Sequence, residues 1–83
     1  MKKEIIVHMN DGMEPRPIAL LVQTANRYGS QIYLNMKNKR VNAKSIMGMM
    51  SLALLNGECV TIEAEGEDAE MAVAEIERFL TQA

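Results

Sequence analysis

Tryptophan is absent from this chain, and cysteine, histidine and phenylalanine each occur once. With only 4% aromatic residues, stacking platforms for nucleobases are scarce. A formal net charge of -2 supplies no basic footprint for nucleic acid, so no direct nucleic-acid partner is expected. A single cysteine excludes an intrachain disulfide, which suits a reducing cytosol and a cytoplasmic protein. Cys59 lies in the strand-like run Glu58-Cys59-Val60-Thr61-Ile62 and is expected to be a small, half-buried strand residue. With one histidine, no partner cysteine and no carboxylates at motif spacing, neither a metal site nor a cofactor is expected. Long apolar runs are missing too. The longest, residues 46–55, is about half of a membrane span and is interrupted by Gly48 and Ser51. The opening Met1-Lys2-Lys3-Glu4-Ile5-Ile6-Val7 is too short in its apolar part and too acidic for a secretion signal, so no membrane association is expected.

What is present describes one globular domain, residues 1–83. The hydrophobic fraction of 48% against 24% charged residues argues against disorder. A chain this short buries about 60–65% of its unfolded surface, enough for one core and one or two surface sites. Ile5, Val7 and Met9 alternate with Glu4, Ile6 and His8, which predicts a first strand near residues 2–8, ended by Asp11-Gly12. Ile18, Leu21, Val22 and Ala25 recur at helical spacing and predict an amphipathic helix from Arg16 to about Tyr28. Pro17 is tolerated in its first turn and Gly29 is expected to end it. Ile32, Leu34 and Met36 mark a second strand, which turns at Lys37-Asn38 into a short third strand over Lys39–Asn42. A short second helix starts at or just after Ser45. After an Asn56-Gly57 turn, Val60, Ile62 and Ala64 face one way and Thr61, Glu63 and Glu65 the other, in a fourth strand broken by Gly66. Asp68 is a good N-cap for a last helix, with Glu70 in its first turn, Arg78 in its last and Ala72, Val73, Ile76, Phe79 and Leu80 on its buried face.

The order is therefore β-α-β-β-α-β-α. Each strand is apolar on one side only, which argues an α+β fold: a four-stranded antiparallel sheet with three helices on one face and the other face wet. The charges are segregated. Lys37, Lys39, Arg40 and Lys44 are four of the nine basic residues, and residues 58–77 hold eight of the eleven acidic ones. These are either solvated faces or, for the basic set, a means of holding an anion near Ser45. Ser45 itself reads as a helix cap. The run Ile46, Met47, Met49, Met50, Leu52, Leu54, Leu55 is more than so short a helix can bury. Either all of it is core, or Met49, Leu52 and Leu54 face inward while Ile46, Met47 and Met50 form an exposed apolar patch. Glu14, at the head of the first helix, is favourable there by roughly 0.3–1 kcal/mol on dipole grounds alone. His8, inside the first strand on its polar side, reads as a surface histidine.

Two segments carry a resemblance. Gly12-Met13-Glu14-Pro15-Arg16-Pro17 and Val41-Asn42-Ala43-Lys44-Ser45-Ile46-Met47-Gly48-Met49-Met50-Ser51-Leu52 resemble the two working segments of the histidine-containing phosphocarrier (HPr) of the sugar phosphotransferase system. The resemblance implies the open-faced β-sandwich of that family over essentially the whole chain. In the family the first segment reads Gly-x-His-Ala-Arg-Pro, and its histidine carries phosphate. Glu14 stands at that position here and Pro15 at the alanine, so the resemblance implies a protein that is not an enzyme and does not carry phosphate on histidine. Arg16 keeps the place of the arginine that holds the phosphoryl group. The chain is most similar to the catabolite-repression HPr-like proteins of Gram-positive bacteria, which lack the active histidine, commonly carry glutamine there, and keep the regulatory serine.

By that resemblance Ser45 is phosphorylated by an HPr kinase/phosphorylase, and the product binds a LacI-type catabolite control repressor. Glu14, Arg16, Lys44, Ile46, Met47 and Met50 would form the partner-binding surface. The alternatives are a component that docks enzyme I or sugar permease subunits without accepting phosphate, or a paralogue with a partner of its own.

Overall fold

The computed structural model describes residues 1–8, 15–36, 38–51 and 57–81, with Pro15, Arg16 and Pro17 described by their backbone alone. The elements are β1 (Lys2–Ile6), α1 (Pro15–Asn26), β2 (Gln31–Met36), β3 (Lys39–Asn42), α2 (Ile46–Met50), β4 (Cys59–Glu65) and α3 (Ala69–Leu80). The strands form one antiparallel sheet in the order β1-β4-β2-β3.

The alternation of the sequence fixes which face is covered. Ile5, Ile32, Leu34, Met36, Val41, Val60, Ile62 and Ala64 point inward and are buried. Against them lie Ile18, Leu21, Val22 and Ala25 of α1, Met49 of α2, and Ala72, Val73, Ile76 and Leu80 of α3. Phe79 is only half-buried, packed at the rim of this core. The expected α+β architecture, with the helices on one face and the other face open, is the one observed.

Four local expectations are corrected. The first strand ends at Ile6 rather than residue 8. Val7 stays buried, its N–H donating to the Glu58 carbonyl at 2.9 Å, but the His8 N–H turns to the Leu80 carbonyl of α3 at 2.7 Å, and the His8 side chain is exposed beyond the strand. Met9 lies outside the described residues. Helix α1 stops at Asn26, before Gly29: its last turn tightens, with the Arg27 N–H donating to the Thr24 carbonyl and the Tyr28 N–H to the Ala25 carbonyl. Gly29 has no left-handed backbone. Cys59 is exposed on the open face, opposite Ile6 of β1, because it precedes the first inward position of β4.

Asp68 does stand at the N-cap of α3, but its carboxylate caps a different segment. It accepts from the Gly29 N–H at 2.8 Å, the Ser30 N–H at 3.0 Å and, in a short bond, the buried Ser30 hydroxyl. The start of α3 is thereby tied to the entry of β2. Gly66 makes the approach possible: its φ is +147°, and a Cβ there would stand 2.7 Å from Ser30 Cα.

Candidate functional site

Ser45 joins β3 to α2. Its backbone is extended (φ -102°, ψ 114°), so its side chain can turn back over the first helical turn, where Oγ accepts the Gly48 N–H at 3.2 Å. The Ser45 carbonyl accepts the Met49 N–H at 2.9 Å, and its own N–H donates to the Asn42 carbonyl at 3.0 Å. The hydroxyl is thus used as a helix cap and is not buried.

Helix α2 is five residues long, too short to turn more than one side toward the core. Met49 is fully buried. Ile46 and Met50, one turn apart, are 42% and 57% exposed, and Met47 beside them is 82% exposed. An apolar patch therefore borders the serine that caps the same helix. Leu52, Leu54 and Leu55 lie outside the described residues.

The residue before Ser45 is tied at every polar group. The Lys44 N–H donates to Asn42 Oδ1 at 2.8 Å, its carbonyl accepts from Asn26 Nδ2 at 3.3 Å, and its ammonium donates to the Tyr28 carbonyl at 2.6 Å. Asn26 Nδ2 also donates to the Val22 carbonyl at 2.8 Å. Sequence reading missed Asn26 and Tyr28 because neither belongs to the segment that contains Ser45. Only the packing of α1 on α2 brings them there.

The basic cluster is dispersed by the fold. Neither α1 nor α2 has a basic residue in its last turn. Lys44 supplies a cation beyond the end of α1, and Lys39 donates to the Ser51 carbonyl at the end of α2 at 3.0 Å. Arg40 points to the open sheet face. Its guanidinium lies 4.0 Å from the centre of the Tyr33 ring and pairs with Glu63 at 3.0 Å, while Lys2 approaches the same carboxylate at 3.5 Å. Partial desolvation pushes the Glu63 carboxyl upward, but Arg40 and Lys2 together hold it below the ordinary range. Lys39, Arg40 and Lys44 thus bond elsewhere than the Ser45 hydroxyl, and Lys37 lies outside the described residues. On the same open face Cys59 is no activated thiol. A hydrogen bond with Glu4, then partial desolvation and the Glu4 charge, push its pKa up.

Glu14 also lies outside the described residues. Arg16 is placed by its backbone in the first turn of α1, and its guanidinium is not described. Among the described residues no group of histidine, cysteine and carboxylate side chains stands close enough together to hold a metal ion, and no helix is long and apolar enough to cross a membrane.

Known proteins resemble this chain in sequence and fold. Residues 1–82 match the family described as PTS HPr component phosphorylation site. The chain is 42% identical over 82 residues to the HPr-like protein Crh of Bacillus subtilis, covering 99% of this chain and 96% of that one. It is 42% identical over 80 residues to the HPr-like protein Crh of Halalkalibacterium halodurans, covering 96% and 95%. The crystal structure of the phosphocarrier protein HPr from Bacillus anthracis superposes with a TM-score of 0.91 at 44% identity, covering 96% of this chain and 95% of that one. Sheet order, helix placement and these matches together assign the chain to the HPr family.

Proposed function

We propose that this protein is a Crh-like regulator of carbon catabolite repression that works by docking, switched by phosphorylation of Ser45, and that it does not carry phosphate on histidine. The observation that carries this reading is the division of α2. Its cap is a serine hydroxyl at the surface, and three of its apolar side chains, Ile46, Met47 and Met50, are left to solvent beside that hydroxyl. A phosphate on Oγ would place about -1.5 to -2 charges at the edge of an apolar patch. A partner that packs on the patch and offers arginine or lysine at its rim then gains charge-assisted hydrogen bonds only with the modified form. Methionines suit such a surface, since they repack against more than one shape.

The only histidine supports the same reading. His8 lies just beyond the end of β1, its N–H bonded to the Leu80 carbonyl of α3 and its side chain exposed. Glu14 occupies the place where the resemblance puts the phosphorylated imidazole. The kinase in this reading is an HPr kinase/phosphorylase in the cytoplasm, and the partner is a LacI-type catabolite control repressor, contacted through Ser45, Ile46, Met47 and Arg16.

The test is to offer the chain two phosphoryl donors. With ATP and an HPr kinase/phosphorylase, mass spectrometry should find one phosphate, on Ser45. With phosphoenolpyruvate and enzyme I, no acid-labile phosphate should appear. Phosphate from enzyme I would make the chain a carrier. Phosphate from neither donor would favour the alternative, a passive family member that docks enzyme I or permease subunits through the same patch.

A further inference from the structure

We infer that Lys44, although adjacent to Ser45, is a positioning residue that holds the serine in place through the main chain, and is not a ligand for its phosphate. The inference deepens the reading of Ser45 given above and rests on it. Three groups of Lys44 are committed at once: the amide to Asn42 Oδ1, the carbonyl to Asn26 Nδ2 and the ammonium to the Tyr28 carbonyl. Two of these go to the C-terminal end of α1. Asn26 closes the brace, since its amide nitrogen spans the Val22 carbonyl of its own helix and the Lys44 carbonyl.

The peptide from which Ser45 hangs is therefore fixed to a neighbouring helix. Ser45 Oγ faces elsewhere, toward the Gly48 N–H of α2. The Tyr28 carbonyl also gives the ammonium a reason to stay. It belongs to the turn that follows α1, a helix with no basic residue in its own last turn. Lys39 and Arg40 are engaged at the end of α2 and on the open sheet face. The three described cations nearest Ser45 in the sequence, Lys39, Arg40 and Lys44, are thus already engaged, and the charge of a phosphate on Ser45 stays available to a partner's cations.

The experiment uses the full chain made by chemical synthesis with phosphoserine at position 45, so that no kinase is needed. The second phosphate pKa is read by 31P NMR titration. Hydrogen exchange of the Gly48 N–H is read on the unphosphorylated chain, with the Val60 and Ile62 amides as an internal control for folding. Lys44→Met should move the phosphate pKa by less than about 0.3 from a value near 6. Lys44→Met and Asn26→Ala should each speed Gly48 exchange about tenfold, the loss of one or two modest hydrogen bonds. Lys44→Arg, which can still donate to the Tyr28 carbonyl, should stay within about twofold of the original chain. A rise in the phosphate pKa of about half a unit or more on Lys44→Met would overturn the inference, because it would place the ammonium on the phosphate. So would Gly48 exchange unchanged in both brace variants. A kinase that ignores Ser45 would sink the proposed function and leave these results standing.

Discussion

Two carboxylates show how differently the same group is used in this molecule. Glu63 lies on the open face between two cations. Asp68 lies between α3 and β2, where the Ser30 hydroxyl, the Gly29 N–H and the Ser30 N–H hold its pKa below the ordinary range. A carboxyl with a depressed folded-state pKa contributes stability that is present above its unfolded value. That contribution is lost as pH falls through the folded one. The Asp68 latch is therefore intact at neutral pH and weakens below about pH 4, the unfolded aspartate value. Asp68→Asn should lower the thermal midpoint at pH 7 and flatten the fall in stability below pH 4, as followed by circular dichroism. An unchanged acid limb would mean the latch contributes nothing. Ser45→Ala removes a cap rather than a core group. It should cost about 0.5–2 kcal/mol in chemical denaturation, leaving a folded chain that no longer accepts phosphate from the kinase.

Helix α2 is the element on which the functional reading depends, and its two methionine environments separate packing from docking. Met49→Ala should lose about 2–5 kcal/mol of folding stability, since its side chain is fully buried. Met47→Ala should lie within about 0.5 kcal/mol of the original chain in folding, yet weaken partner binding by roughly 1–3 kcal/mol. A core-sized folding loss at Met47 would make the patch part of the core. The division was legible in the sequence only in outline. Seven large apolar residues in ten could not all be buried by a short helix, but that Met49 rather than Ile46, Met47 or Met50 faces inward needed the docking of α2 on β3 and α1. The inward faces of the strands were more legible, because alternation in β2 and β4 puts Ile32 and Leu34, and Val60 and Ile62, on one side of each strand. Element ends were less so. Gly29 looked like a helix stop, yet the stop came at Asn26, because the Gly29 N–H is drawn to Asp68 across the fold. Gly66 was read as a strand breaker, and its close approach to Ser30 makes that role obligatory: Gly66→Ala should destabilise the chain, since both its φ and the Ser30 contact exclude a Cβ.

At the scale of the whole molecule, the fold separates two surfaces. The open sheet face carries the mixed charges of Lys2, Glu4, Arg40 and Glu63, and the helical side carries Ser45 and its apolar neighbours. The sequence clustered Lys39, Arg40 and Lys44 with Ser45 along the chain, but in three dimensions they end on two helix termini and on the opposite face. Linear proximity misled there because a strand sends neighbouring side chains to opposite sides. Among the described residues an apolar patch borders Ser45, so a phosphate there would suit recognition by another protein rather than an internal rearrangement. Titration calorimetry of a LacI-type catabolite control repressor with the Ser45-phosphorylated and unmodified chains tests this most directly. Hydrogen bonds to a charged group are worth about 1.5–3 kcal/mol each, so the phosphorylated chain should bind at least about tenfold more tightly. Equal affinity of the two forms would contradict the account.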